Sequence, residues 1–355
     1  MNQNALFWED VEEGQELAPF TYEMSLLRLV AAVRASGLYD YIHFDRDFAR
    51  SVGAKDAFAS NSHLSGLFSR LITDWAGPDA DIRSMGFNMR AQCCAGDVLT
   101  VSGKVGRKFM GEDGACLIEL APLNIATQDV PAAANAMALI ALPSRQHGQV
   151  PARTDLPAEE TALDANDVPD FARHLIGVSK EITYRSQPLA ESELHLWCEA
   201  VEDWNPAYWD RAYAASNRYG ALIAPPLSHL YGAGSSADIG VGYGKPGCDT
   251  PNAVRNGLSG IPLLNELRKV LIATQAPIML PEFPQVVISD SRIECFRPFR
   301  VGDSLRAEQR MTSCGPLKKT KLGEGHFFSW VNAEYNQQDE LVRTVSYTMF
   351  LYRSA

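Results

Sequence analysis

An α+β fold built twice over is what this sequence predicts, and three observations predict it. The composition supports a large core, with 46% hydrophobic and 21% charged residues in 355. Such values exclude disordered, collagen-like and coiled-coil chains, and the length suits two domains. A unit also recurs: His43-Phe44-Asp45-Arg46-Asp47-Phe48-Ala49 is matched by Tyr208-Trp209-Asp210-Arg211-Ala212-Tyr213-Ala214, and Ala95-Gly96-Asp97-Val98-Leu99 by Val301-Gly302-Asp303-Ser304-Leu305. The offsets are 165 and 206, so the second copy carries about 41 extra residues. Finally, within each copy helical patterns come first and closely spaced strands afterwards, an order that argues against a parallel βαβ sheet.

The first unit, 1–145, opens with a helix at 25–35 that puts Leu26, Leu27, Val30 and Val33 on apolar positions. A more apolar helix follows, with Leu64, Leu67, Phe68, Leu71, Ile72 and Trp75 on one broad stripe and Gly77-Pro78 closing it. Strands are predicted at 82–89, 98–105, 116–120 and 137–142. The linker, 146–172, lies in a stretch of prolines, alanines and acids with little apolar periodicity, too poor in burial to offset its ordering entropy.

The second unit, 173–355, repeats the order. A helix at 190–202 aligns Leu194, Trp197, Cys198 and Val201, and a short helical segment is expected at 226–231. An insert at 232–284 precedes strands at 286–296, 304–311, 326–335 and 344–352. In the last of these Val345, Tyr347, Met349 and Leu351 alternate with Ser346, Thr348 and Phe350. One long helix against a curled antiparallel sheet, twice over, is the double hot-dog layout.

Two loops then draw attention. Ser36-Gly37-Leu38-Tyr39-Asp40-Tyr41-Ile42-His43-Phe44-Asp45 resembles the S-G-D-x-N-P-x-H-x-D loop of the MaoC-like dehydratases. Val201-Glu202-Asp203-Trp204-Asn205-Pro206-Ala207-Tyr208-Trp209-Asp210 is similar to the same loop in partner hot-dogs of the FAS1-like dehydratase type. Arg218-Tyr219-Gly220-Ala221-Leu222-Ile223-Ala224-Pro225-Pro226 resembles the R-Y-G-G-x-I-A-P-P signature of that partner, and Phe296-Arg297-Pro298-Phe299-Arg300-Val301-Gly302-Asp303 resembles its F-R-P-x-R-x-G-D strand entry. The resemblance spans nearly the whole chain apart from the linker and the insert.

It implies a hydratase or dehydratase of an enoyl or 3-hydroxyacyl thioester, carried on CoA or an acyl carrier protein and of (R)-3-hydroxyacyl stereochemistry. His43 would serve acid-base catalysis with Asp40 as a substitute carboxylate, because the family aspartate position is Leu38 here. Substrate contacts are expected from Tyr39, from Asn61 and Ser62 at the electropositive head of the central helix, and from Asp203, Asn205 and Tyr208. The second loop keeps its aspartate as Asp203 but has Tyr208 where histidine would stand, so neither loop holds the complete pair. Three readings stay open: Asp40 replaces the missing carboxylate, His43 alone runs isomerisation or cyclisation in the same pocket, or the chain is a thioester-binding scaffold. The structural alternative is that Asp203 and Asn205 cap a turn.

The remaining features narrow the class. A net charge of -11 argues against nucleic-acid binding. No stretch is long and apolar enough to span a membrane, the start lacks a signal-peptide pattern, and seven scattered cysteines without CxxC spacing fit a cytoplasmic protein with reduced thiols. No metal site and no cofactor beyond the thioester substrate are expected, and a homodimer or a hetero-oligomer with a complete hydratase is expected as the assembly. The glycine-rich run from Gly232 lacks the strand that a dinucleotide fingerprint requires and reads as a loop or lid.

Overall fold

A computed structural model describes residues 6–37, 41–51, 53–153, 168–170, 172–185, 188–230 and 285–353. Leu38, Tyr39 and Asp40, most of the linker and the insert at 232–284 lie outside the described residues.

The first half runs β1 (Glu16–Glu23), α1 (Leu26–Ser36), a short 3-10 turn at Tyr41–His43, α2 (Arg46–Ser51), α3 (Asn61–Ala76), then β2 (Asp81–Met89), β3 (Val98–Met110), β4 (Cys116–Ala126) and β5 (Ala134–Ala141). The second runs β6 (Ser179–Arg185), α4 (Glu191–Val201), α5 (Pro206–Trp209), α6 (Arg211–Ser216), β7 (Gln285–Cys295), β8 (Leu305–Cys314), β9 (Lys318–Lys319), β10 (Glu324–Tyr335) and β11 (Leu341–Arg353). α1 and α4 have the same length and the same 165-residue offset that relates the sequence repeats, as do α2 and α6.

Ten strands form one continuous antiparallel sheet in the order β1-β3-β4-β5-β2-β7-β11-β10-β8-β6, with β9 hydrogen-bonded to β10 at its side. Read outward from the centre, both halves give the same succession. The halves join where β2 pairs β7, with Gly86 opposite Arg292. This is the double hot-dog.

The repeat extends to single backbone bonds. Met24 N–H donates to the Asp97 carbonyl and Leu189 N–H to the Asp303 carbonyl, both at 2.8 Å. Gly96 and Gly302 share φ of 95°, a left-handed backbone that glycine adopts without steric cost. The carboxylates beside them do one job twice, Asp97 accepting from Cys94 N–H and Asp303 from Arg300 N–H.

α3 is the apolar axis of the first half. Ser60 caps it, its Oγ accepting from His63 N–H at 3.3 Å, and Leu64, Leu67, Phe68, Leu71 and Ile72 are all buried beneath the sheet. One side of α3 faces α4: a Cβ on Gly66 would stand 2.6 Å from Val201 Cγ1 and 3.0 Å from Trp197 Cζ2. Ion pairs of Glu202 with Arg28 and Arg70 cross the same seam. The largest cluster of buried side chains draws on both halves, from Leu64 and Phe68 to Trp197 and Val345.

Three sequence expectations need correction. Residues 226–230 form a turn followed by irregular chain rather than a helix. β1 and β6 carry no strand signal recognised from the sequence; both are sheet edges, and in β1 Pro19 falls at the register shift between Leu17 and Phe20, which an edge strand tolerates. Phe350, expected on the outer face, is buried through stacking on Phe327 and Tyr352, at 4.5 and 5.2 Å between ring centroids.

Candidate active site

α1 ends on Gly37 with φ 72°, six residues before His43 in the sequence. The His43 ring is only 7% exposed and stands edge-on to Phe58, with Nδ1 2.8 Å from the Phe58 carbonyl. A carbonyl only accepts, so Nδ1 carries the hydrogen and Nε2 of the neutral ring carries the lone pair. That tautomer suits a base. Asp45, two residues on, accepts from Phe48 N–H at the start of α2, just as Asp210 accepts from Ala212 and Tyr213 N–H at the start of α6.

The Phe58 carbonyl sits three residues before α3, so the same segment that orients His43 also delivers the helix head. Asn61 and Ser62 occupy its first turn, where backbone N–H groups lack intrahelical partners. Ser62 Oγ is 2.8 Å from Ser60 Oγ, and Asn61 Oδ1 is buried without a partner. Here the positive end of the helix dipole would favour an oxyanion.

His63 follows on the same turn and is fully buried. Tyr22 donates its only hydroxyl hydrogen to the Ala200 carbonyl at 2.6 Å, so His63 Nε2, 2.9 Å from that oxygen, must be the donor to it. Nδ1 is then an acceptor, buried and without a partner. Burial, helped by the nearby His43 ring, pushes the His63 pKa down to about 3. The head of α3 therefore presents a neutral imidazole.

The second loop points elsewhere. Asp203 is fully buried, one carboxylate oxygen accepting from Thr73 Oγ1 at 3.1 Å and the other from Asn205 N–H at 3.2 Å. Burial raises its pKa to about 7. Asn205 caps α5 by accepting from Ala207 N–H at 2.9 Å, and Tyr208 is 2% exposed. These bonds hold the loop together. Thr73 lies ten residues beyond His63 on α3, about 15 Å along the axis, so Asp203 and His43 sit at opposite ends of the helix.

Concavities bounded by described residues include a cleft of about 340 Å³ around Tyr219 and Arg300 and a groove of about 1130 Å³ along the sheet at the β2-β7 junction. His43 lines neither. Among the described residues no group of three or more His, Cys, Asp or Glu side chains is placed to hold a metal, and no helix is long and apolar enough to cross a membrane.

The sheet order and the paired helices define a double hot-dog protein. The profile of the FAS1-like, dehydratase domain region matches residues 175–257. The 3-oxo-4,17-pregnadiene-20-carboxyl-CoA hydratase beta subunit of Mycobacterium tuberculosis is 33% identical over 105 residues, which are 26% of this chain and 81% of that subunit. A probable enoyl-CoA hydratase alpha subunit of Thermomonospora curvata is 26% identical over 157 residues, 44% of this chain and 43% of its own length. A Mycobacterium tuberculosis protein with a double hotdog fold superposes with a TM-score of 0.60 at 14% identity, over 98% of both chains. The chain belongs to the MaoC-like hot-dog dehydratase family, which hydrates and dehydrates acyl thioesters.

Proposed function

We propose that this chain is itself a hydro-lyase, with His43 as its acid-base group and the head of α3 as its oxyanion site. In the hydration direction, His43 Nε2 takes a proton from water as the water oxygen bonds to the β-carbon of an enoyl thioester. The electron pair of the double bond moves toward the thioester oxygen, where the helix-head N–H groups near Asn61 and Ser62 would stabilise the enolate. The protonated His43 then delivers its hydrogen to the α-carbon, and the thioester carbonyl reforms. Dehydration is the reverse.

The observation that carries this reading is the Nδ1 to Phe58 carbonyl bond, since it sets the tautomer and ties the base to the helix head. Leu38 stands where the family has its carboxylate, so a second group must polarise the water if turnover is fast. Asp40 is the substitute we propose, with Tyr39 as a neighbouring substrate contact; both lie outside the described residues. Leu38 equally favours the second reading, a subunit that binds thioesters beside a complete hydratase. The subunit names of the relatives support a hetero-oligomeric assembly.

The deciding experiment is an assay of the purified protein against short, medium and bulky enoyl-CoA compounds. Turnover of at least one supports the enzyme. Binding of all three without turnover supports the scaffold.

A further inference from the structure

The cleft of about 340 Å³ lies where the pseudo-symmetry puts the second half's copy of the catalytic site. Ile223 N–H donates to the Ala207 carbonyl as Phe58 N–H does to Ile42, both at 3.2 Å. Ala224 N–H donates to Phe299 at 2.7 Å as Ala59 does to Cys93 at 2.9 Å, and Val301 to Leu222 at 3.0 Å as Ala95 to Ala57 at 2.8 Å. The segment 222–226 is therefore built like the approach to α3. Yet the His43 counterpart is Tyr208, a phenol whose pKa burial pushes well up, so it supplies no base for hydration there.

What the cleft offers instead is guanidinium. Arg153, Arg218, Arg297, Arg300 and Arg343 line it, against the carboxylates of Asp81 and Glu340. Arg343 is spent on the buried Glu334, at 2.6 Å, and Arg218 is shared with Asp81 at 3.2 Å. Arg297 pairs with Glu340 at 3.4 Å, and a hydrogen bond from Asn336, helped by the charges of Arg297 and Arg300, holds that carboxyl below its ordinary pKa. Arg300 donates its Nε to the Tyr219 carbonyl at 3.2 Å, and among the described residues its guanidinium makes no direct ion pair. Two neighbours are held in place by ring stacking, Arg218 over Tyr219 at 4.5 Å and Arg153 over Phe296 at 4.1 Å. Preorganised guanidinium forks are suited to carboxylate and phosphate oxygens. Ile223, Pro225 and Phe299 supply an apolar wall. The volume is at the small end of ligand pockets, which run from about 300 to 1,000 Å³.

We infer that this cleft is a second binding site, separate from His43, for a small organic oxyanion whose carboxylate or phosphate group meets Arg300 while its apolar body rests on Ile223 and Phe299. The inference stands on the fold alone and does not require hydratase activity.

Isothermal titration calorimetry of the full chain with benzoate and with phenyl phosphate tests it, inorganic phosphate serving as the bare anion. The expected result is saturable one-to-one binding of at least one organic anion, the tighter of the two naming the headgroup. Arg300→Met should weaken it roughly tenfold or more, the loss of a charge-assisted bond. Glu340→Gln, which removes a competing carboxylate, should tighten it, and His43→Ala should leave it unchanged. If Arg300→Met does not fold, the Glu340→Gln comparison carries the test. No saturation by either organic anion, equal binding of inorganic phosphate, or equal affinity in the two charge variants and the wild type would overturn the assignment.

Discussion

At the scale of single residues, two carboxylate positions and two imidazoles divide the labour unevenly. His43 is held as a base by one carbonyl. Asp203 is sealed against Thr73, and burial keeps its pKa near 7, far above the ordinary aspartate range. In the folded state it keeps its proton up to about pH 7, whereas the unfolded chain releases it near pH 4. The folded state thus binds more protons between these limits, and stability falls as pH rises through that window. Asp203→Asn should remove this contribution, worth about 4 kcal/mol at most. Urea titrations at pH 4.5 and pH 8 check it: the variant gains stability relative to wild type as pH rises, and a constant difference would count against the buried-acid account. The motif exposed Asp203 to the eye but not its setting. Its spacing matches a catalytic loop, and only the fold shows that the oxygens are used up by Thr73 and Asn205. For His63 the reverse holds. One histidine at a helix start says little, and its meaning comes from Tyr22 and Ala200, 41 and 137 residues away in the chain.

Among the elements, the seam between α3 and α4 is what joins the halves inside the sheet. Gly66 makes the close approach possible, because Val201 and Trp197 fill the space a side chain would need. Val201 is β-branched and has few rotamers with which to yield. Gly66→Val is therefore expected to cost about 1–3 kcal/mol or more by overpacking. Chemical denaturation measures it, and a variant as stable as wild type would show that the seam can open. Sequence periodicity located α1, α3, α4 and most interior strands to within a few residues, since each buries a clear stripe or alternate face, while β3 and β4 run five and six residues past their predicted ends at 105 and 120. It missed β1 and β6 because edge strands tolerate polar residues and proline. It also took 226–231 for a helix, where the described residues 226–230 form a single turn, Ser228 N–H donating to the Pro225 carbonyl at 2.9 Å.

Taken whole, the molecule is one sheet over a main core that draws on both halves, with buried neutral histidines in each. Burial pushes His63 and His229 each down to about 3. Below about pH 6.5 the unfolded chain takes up protons at both while the folded chain does not, so these two groups lower stability as pH falls from 6.5 toward 3. Between pH 7 and pH 5 their joint contribution is a loss of about 2–4 kcal/mol, partly offset by Asp203. A double variant, His63→Gln with His229→Gln, should flatten this dependence in urea titrations; an undiminished slope would place the acid sensitivity elsewhere. The symmetric build was legible from two short repeats, and the structure extends it to matching single hydrogen bonds. The asymmetry that matters for function was legible only in part: Leu38 and Tyr208 stand out against the motif, whereas the arginine cleft is assembled from segments 153, 218 and 297–300 that no local pattern unites.

The most direct measurement is single-turnover hydration of an enoyl-CoA that the wild-type protein accepts, compared with His43→Ala. The account predicts a loss of about 100-fold or more in the chemical step, the usual consequence of removing a general acid-base group. Unchanged turnover in a folded His43→Ala protein would contradict it.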